Sequence, residues 1–257
     1  KSLIRESDGK ILTNVGKDWH PCQNETAFEF FNEYVLAGDM EMHTAGSIRG
    51  GQYVWALAKV KESFDLFGGD QVDSYMLFSN PHVYGKSIDV RFTPIRVVCN
   101  NTLTFALDTA SQRAVKVGHR AQFNPDMVKE QLGIAHEKFA KYKEMAEFLG
   151  SKRVKVEDLL NYYNTVFPLT SGKDKQEEVT FDTISRQAKN AFEVLETQPG
   201  AEYAEGSWWQ AFNSVTYVTD HVQGRNADNR LHSQWYGQNQ LRKVKAAEKA
   251  VEFALAA

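Results

Sequence analysis

Between Gly85 and Arg120 the chain gathers Arg91, Arg96, Arg113, Lys116, His119 and Arg120, with Asp89 and Asp108 as the only acids. Cations carried on strands can neutralise the phosphates of a polyanion, and rings beside them can stack on unpaired bases. Tyr53 and Trp55 lie two residues apart, hence on one side of a strand. Arg49 sits among the three glycines of Gly46-Ser47-Ile48-Arg49-Gly50-Gly51. That run lacks the lysine and hydroxyl ending of a phosphate loop. It also leads into a strand, not into the helix N-terminus that would donate the anion site. A nucleotide-triphosphate cradle is therefore excluded; a hairpin bend and a backbone site for a nucleic-acid phosphate both stay open. The candidate nucleic-acid contacts are Arg49, Arg91, Arg96, Arg113, Lys116, Arg120, Tyr53 and Trp55. The plainer reading of the same residues is a solvated sheet face with Trp55 in the core.

Other constellations carry less. Cys99 ends an apolar strand and reads as a small core residue, although a thiol could meet one of the seven histidines in space. Asp220, His221, Asp228 and His232 offer metal-ligand chemistry without the spacing of a known metal motif. Asp220 and His221 are adjacent on a helix and so point to different faces. Pairing of either with Arg225 or Arg230 is the simpler expectation. No catalytic residue, metal ligand or cofactor is assigned.

Composition frames these residues. In 257 residues, 42% are apolar and 25% charged, ordinary values for a globular chain able to bury a sizeable core. A net charge of −3 excludes a wholly basic nucleic-acid binder but allows a local basic surface. Two cysteines without paired spacing argue against a disulfide framework or a zinc ribbon, and point to a reducing cytoplasm. No apolar run approaches a membrane span and no signal-peptide pattern opens the chain. The start at Lys1, without Met, suggests missing upstream residues.

The elements that must position the cations follow from periodicity. Strands are expected at 10–15, 40–45, 52–60, 74–79, 86–92 and 95–99, with Pro94 as a break, and again at 114–120. A helix should run from Asn24 to about Leu36 with Phe28, Phe31 and Val35 on one face. A short one should run from Asn101 to Ala110, and 64–69 should be a loop. After Pro125 the period becomes 3.6: Val128, Leu132, Ala135, Phe139, Tyr142, Ala146 and Leu149 form one stripe. Further helices are expected from Val156 to Phe167, from Thr180 to Glu196, from Ser207 to Val222, and at the end with Leu241, Val244, Val251 and Leu255 inward. Polar loops should fill 169–179 and 224–232. The fold class is α+β: an antiparallel β-rich N-terminal half with short helices and a helical C-terminal half packed on it. Residues 1–124 would form the β-rich core with one N-terminal helix. Residues 125–257 would pack on it as part of the same domain.

Four stretches carry a resemblance. They are VGKDWHPCQNETAFEFF at 15–31, TAGSIRGGQYVWALAKV at 44–60, FTPIRVVCNNTLTFAL at 92–107 and WWQAFNSVTYVTDHVQGRNADNRLHSQWYG at 208–237. In this order they resemble the phage/plasmid-like proteins of the domain of unknown function 932 family. Where that family shows an Arg-His-Thr run, this chain has Gly118-His119-Arg120. The resemblance implies a mobile-element setting and, by analogy with single-strand annealing proteins, an ATP-independent protein of phage recombination or replication. Its expected partners are single-stranded DNA and further copies of itself in a ring or filament, in the cytoplasm of a bacterial host and away from membranes. The alternatives are a metal-dependent enzyme of nucleic-acid metabolism and a phage protein that binds a host factor.

Overall fold

The computed structural model describes residues 1–36, 38–98, 101–102, 115–117, 126–169 and 178–256. The chain divides into two compact units: Lys1–Glu62, Asp73–Pro94 and Phe105–Phe139 form the first, and Ser63–Val72, Ile95–Thr104 and Ala140–Ala257 the second. As expected, the N-terminal half is an antiparallel β structure and the C-terminal half is helical.

The chain opens with a hairpin of β1 (Ser2–Ile4) and β2 (Ile11–Asn14). Helix α1 (Asn24–Leu36) follows. Its Phe28 meets Phe78 edge-on, with centroids 5.7 Å apart, while Val35 is exposed. The main sheet has the order β3 (Met40–Ile48), β4 (Tyr53–Leu66), β5 (Asp70–Pro81), β6 (Ile88–Arg96), β7 (Asn101–Thr102), with β8 (Val115–Val117) also on β6. In the first unit Ala27 of α1 and Met40, Ala56, Ala58, Val60, Met76, Phe78, Ile88 and Val90 of the sheet bury one another. These alternate along their strands, so one sheet face packs under α1.

Three strand expectations change. The expected loop at 64–69 is mostly strand: β4 runs to Leu66 and turns over 67–69 into β5. Pro94 does not break β6. It falls between the pairing of Ile88–Val90 with β8 and the pairing of Ile95–Arg96 with β7, where its missing N–H interrupts neither of these ladders. Asn101 and Thr102 form a strand instead of opening a helix; the remainder of that expected helix, 103–110, lies outside the described residues, as do Cys99, His119 and 170–177.

The second unit is built from α3 (Val156–Val166), α4 (Arg186–Glu193), α5 (Trp208–Tyr217), α6 (Ala227–Tyr236) and α7 (Gln238–Ala256), after the long α2 (Asp126–Ser151) has brought the chain across from the first. Tyr142, Ala146 and Leu149 of the α2 stripe are buried at spacings of three and four, as expected. Ser207 caps α5 as expected, its hydroxyl accepting from Gln210 N. The cap of α4 is Ser185, five residues after the expected Thr180. Residues 224–232 are not all loop, because Asn226 caps α6 and accepts from Asn229 N at 2.8 Å. Helix α7 turns a different face inward than expected: Leu241 and Leu255 are exposed, while Asn239, Lys243, Ala246, Ala247, Ala250 and Ala254 are buried. Small residues allow close approach, and Tyr162 of α3 reaches in to donate to Ala246 O at 3.1 Å.

Candidate nucleic-acid interface

The turn between β3 and β4 is glycine-rich because its backbone is left-handed. Arg49, Gly50 and Gly51 have φ of 53°, 64° and 90°, a region that disfavours side chains. Two flexible cations also lean over these glycines. A Cβ at Gly50 would lie 2.5 Å from Lys10 Nζ, and one at Gly51 would lie 2.5 Å from Arg5 Nη1. Both cations lie over this turn and donate to Gly50 O, Arg5 at 2.9 Å and Lys10 at 3.4 Å. The β1–β2 hairpin is fixed there a third time, by Gln52 Nε2 donating to Leu12 O at 2.8 Å. Arg49 itself is exposed. Three cations therefore surround one turn. Arg5 is shared with Asp8 in a two-pronged pair, which holds the Asp8 carboxyl down at about 2.

A second turn lies beside the first, because His82 N donates to Gln52 O at 2.7 Å. His82 and Asn80 are in turn held by Asn24 Oδ1, at 3.2 and 3.0 Å. In the following turn Lys86 N donates to Val83 O at 3.2 Å, and Gly85 takes φ 75°. This is the pattern of a type II turn with Tyr84 at its corner. Tyr84 is 64% exposed, and Lys86 two residues on is exposed too. One end of the first unit thus presents Arg5, Lys10, Arg49 and Lys86 with an uncovered aromatic ring.

The residues expected from sequence are distributed differently. Of the eight, Arg49 is the one whose side chain is both described and exposed. Arg91 closes both prongs of its guanidinium on Asp89, at 3.0 and 2.8 Å, and retains little exposure. Arg96 is buried in the second unit and paired with Asp70 at 2.5 Å, so solvent-borne phosphate does not reach it. Tyr53 is buried; burial pushes its hydroxyl up, Arg49 pulls it down and Asp89 raises it. Trp55 faces Gly46 in register, and a Cβ on Gly46 would stand 2.9 Å from the indole. Its ring therefore covers the glycine, and Trp55 is half-buried. Lys116 lies on β8 opposite Asp89. Arg113 and Arg120 lie outside the described residues. Sequence reasoning missed Arg5, Lys10, Tyr84 and Lys86. The signals were present: cations flanking the Asp8-Gly9 turn, and Tyr-Gly directly after a proline-bounded strand.

Asp220, His221, Asp228 and His232 do not assemble into a group of three or more, and no such metal-capable group comes together among the described residues. After α5 the backbone widens into a π turn, Val218–Val222. Its carbonyls are taken by side chains from the next two helices: Asn239 donates to Thr219 O at 2.8 Å, Gln234 to Asp220 O at 2.7 Å and Arg230 to His221 O at 3.0 Å. The Asp220 carboxylate accepts from Lys243 at 2.8 Å, both side chains being buried. His221 is exposed and stacks beside Tyr217, while His232 lies by Tyr236. Lys243 thus faces the Asp220 carboxylate, and the expected partner Arg230 engages the His221 backbone carbonyl.

No helix among the described residues is long and apolar enough to cross a membrane. No curated protein and no solved structure matches the chain. The family described as Domain of unknown function (DUF932) matches residues 11–246, from β2 to the middle of α7 and through all four of the resembling stretches. With that span matched, the chain belongs to the DUF932 family.

Proposed function

We propose that this chain binds single-stranded DNA at the end of the first unit where the Arg49 and Tyr84 turns lie side by side, and that it acts without nucleotide as a DNA-binding and annealing protein of phage recombination or replication. The observation that carries this reading is the pairing of cations with an exposed ring on two short turns whose bases are held by hydrogen bonds. Arg5, Lys10, Arg49 and Lys86 would track phosphates, and Tyr84 would stack on a base. Stacking requires an unpaired base, which favours a single strand over a duplex. Arg96 and Tyr53, being buried, take no part in this contact. The setting in a bacterial cytoplasm belongs to the same proposal.

Fluorescence anisotropy of a labelled oligonucleotide tests it. Three net phosphate contacts on a single strand give a log–log salt slope of about −2, or roughly a 20-fold weakening between 50 and 200 mM salt. Arg49→Glu should weaken binding and flatten that slope. Absence of binding at low salt overturns the proposal, as does binding that ignores both salt and Arg49.

A further inference from the structure

Arg242, on α7, is a half-buried cation that no carboxylate pairs with among the described residues. Its guanidinium carbon lies 5.5 Å from the centre of the Phe167 ring, at the end of α3. Nη1 reaches two neutral oxygens at long range, Gln223 Oε1 at 3.3 Å and Asn239 Oδ1 at 3.4 Å. Burial pulls the guanidinium down, and no neighbouring acid raises it again. A cation drawn away from water without a counter-charge is costly.

Gln223 adds a second unused donor beside it. The backbone N–H of Gln223 closes the π turn on Val218 O at 2.9 Å. Because Oε1 accepts from Arg242, the amide lies with Nε2 as its other end; a flipped amide would set N–H against N–H. Nε2 is removed from solvent and has no acceptor among the described residues. The last torsion of a glutamine is broad, so a rotation turns Nε2 toward an acceptor held by Arg242. The surroundings are positive as well. Arg225 is exposed and makes no ion pair among the described residues, and Arg230 packs on Gly224, where a Cβ would lie 3.2 Å from Arg230 Cβ. From 220 to 245 five cations stand against two carboxylates, Asp220 and Asp228, and Lys243 already holds the first.

We propose that the exit of the π turn, at Gln223, Arg225 and Arg242, binds a phosphate group. The Nε and Nη2 edge of Arg242, which donates to nothing among the described residues, takes two phosphate oxygens side by side, and Gln223 Nε2 takes a third. A phosphate monoester carries close to two negative charges, which Arg242 and Arg225 together balance, whereas a carboxylate carries one. The site belongs to the second unit and does not rest on the DNA contact proposed at the Arg49 and Tyr84 turns.

Thermal unfolding of the whole chain, without nucleic acid, tests this site apart from that contact. Tm is followed as inorganic phosphate is added, against sodium chloride and sodium acetate at matched ionic strength. A ligand held by the folded state alone raises Tm with its concentration. Phosphate should raise Tm, and chloride and acetate should not. Arg242→Gln should lose the rise. Gln223→Glu sets a carboxylate of the chain itself beside the guanidinium; it should raise Tm in the absence of phosphate and abolish the phosphate response, which a merely misfolded protein would not do. A general salt effect would persist in both variants. Thymidine monophosphate and thymidine identify the source, each judged by what Gln223→Glu removes. Equal responses to phosphate and the monophosphate assign the free anion, and a larger one to the monophosphate assigns an ester; thymidine should have no effect. A rise that acetate matches, a rise that survives either variant, or no rise in the unmodified protein overturns the inference. So does a Gln223→Glu protein that gains no stability.

Discussion

Arg96 and Asp70 form a buried pair in the second unit: Arg96 Nε donates to Asp70 Oδ1 at 2.5 Å, with both side chains almost fully removed from solvent. Both side chains make further hydrogen bonds. Arg96 Nη1 and Nη2 donate to Pro199 O and Gly200 O at 3.2 and 2.6 Å, and Trp209 Nε1 donates to Asp70 Oδ2 at 2.9 Å. The pair therefore ties the start of β5, the end of β6, the 199–200 corner and α5 together. Removing one partner leaves the other charge buried and unpaired. Arg96→Met should cost about 3–5 kcal/mol in urea unfolding. Gly200 has φ 77°, and a Cβ there would meet Arg96 Nη2 at 2.5 Å, so Gly200→Ala should destabilise as well.

Asp220 and Lys243 are the counterpart in the π turn. Lys243→Met should cost about 3–5 kcal/mol, because it removes the ammonium that faces the buried Asp220 carboxylate. Replacing both residues with apolar ones of similar size should cost clearly less than the sum of the single changes. A double-mutant cycle by chemical denaturation measures this coupling, and additive single effects would show that the two do not interact. Asn239→Ala removes the donor to Thr219 O and should cost about 1–3 kcal/mol.

Tyr162 and Tyr163 set an alkaline limit. Burial raises both hydroxyls above the ordinary range, Tyr162 with a smaller push from Tyr163, and Tyr163 with a partial offset from its hydrogen bond to Ser214 at 2.5 Å. A raised value means that the folded state keeps protons that the unfolded chain releases. The contribution is complete below the free tyrosine value of about 10 and declines as pH rises above it. Stability by denaturant titration should therefore fall from about pH 10 upward. Tyr163→Phe should flatten that fall while losing the Ser214 contact at every pH.

Much of the fold was legible because burial leaves periodic traces. Ile88, Val90 and Phe92 alternate, and Tyr142, Ala146 and Leu149 recur at helical spacing; all six are buried. The Ser207 hydroxyl marked the start of α5, and the expected helix at 24–36 coincides with α1. The rest depended on contacts between distant segments. Leu241 and Leu255 look like the inward face of α7, yet alanines and Lys243 occupy it, since Asp220 offers the lysine a buried partner. Arg96 looks like a surface cation until Asp70, twenty-six residues earlier, is seen beside it. At the candidate site, Arg49 and its glycines were legible from composition. Arg5 and Lys10 stood out only as cations flanking the Asp8-Gly9 turn; that they join the Arg49 turn was not legible, because their hydrogen bonds to Gly50 span 45 and 40 residues.

The Arg49 and Tyr84 turns make separable predictions. Tyr84→Ala should weaken single-strand binding by roughly 5- to 150-fold, about 1–3 kcal/mol for one stacked base, with little change in salt slope. Tyr84→Phe should keep most of the affinity. Lys10→Gln should act oppositely, reducing the slope by about 0.7 while leaving the preference for single strands. Competition anisotropy with single-stranded and duplex oligonucleotides distinguishes the two patterns.

The most direct test is photo-crosslinking of the protein to a bromodeoxyuridine-substituted single strand, followed by mass-spectrometric mapping of the modified residue. The expected crosslink is on Tyr84, lost in Tyr84→Ala and suppressed by raised salt. A crosslink confined to the second unit, or none under conditions where the strand is bound, would contradict a nucleic-acid site at this end of the sheet.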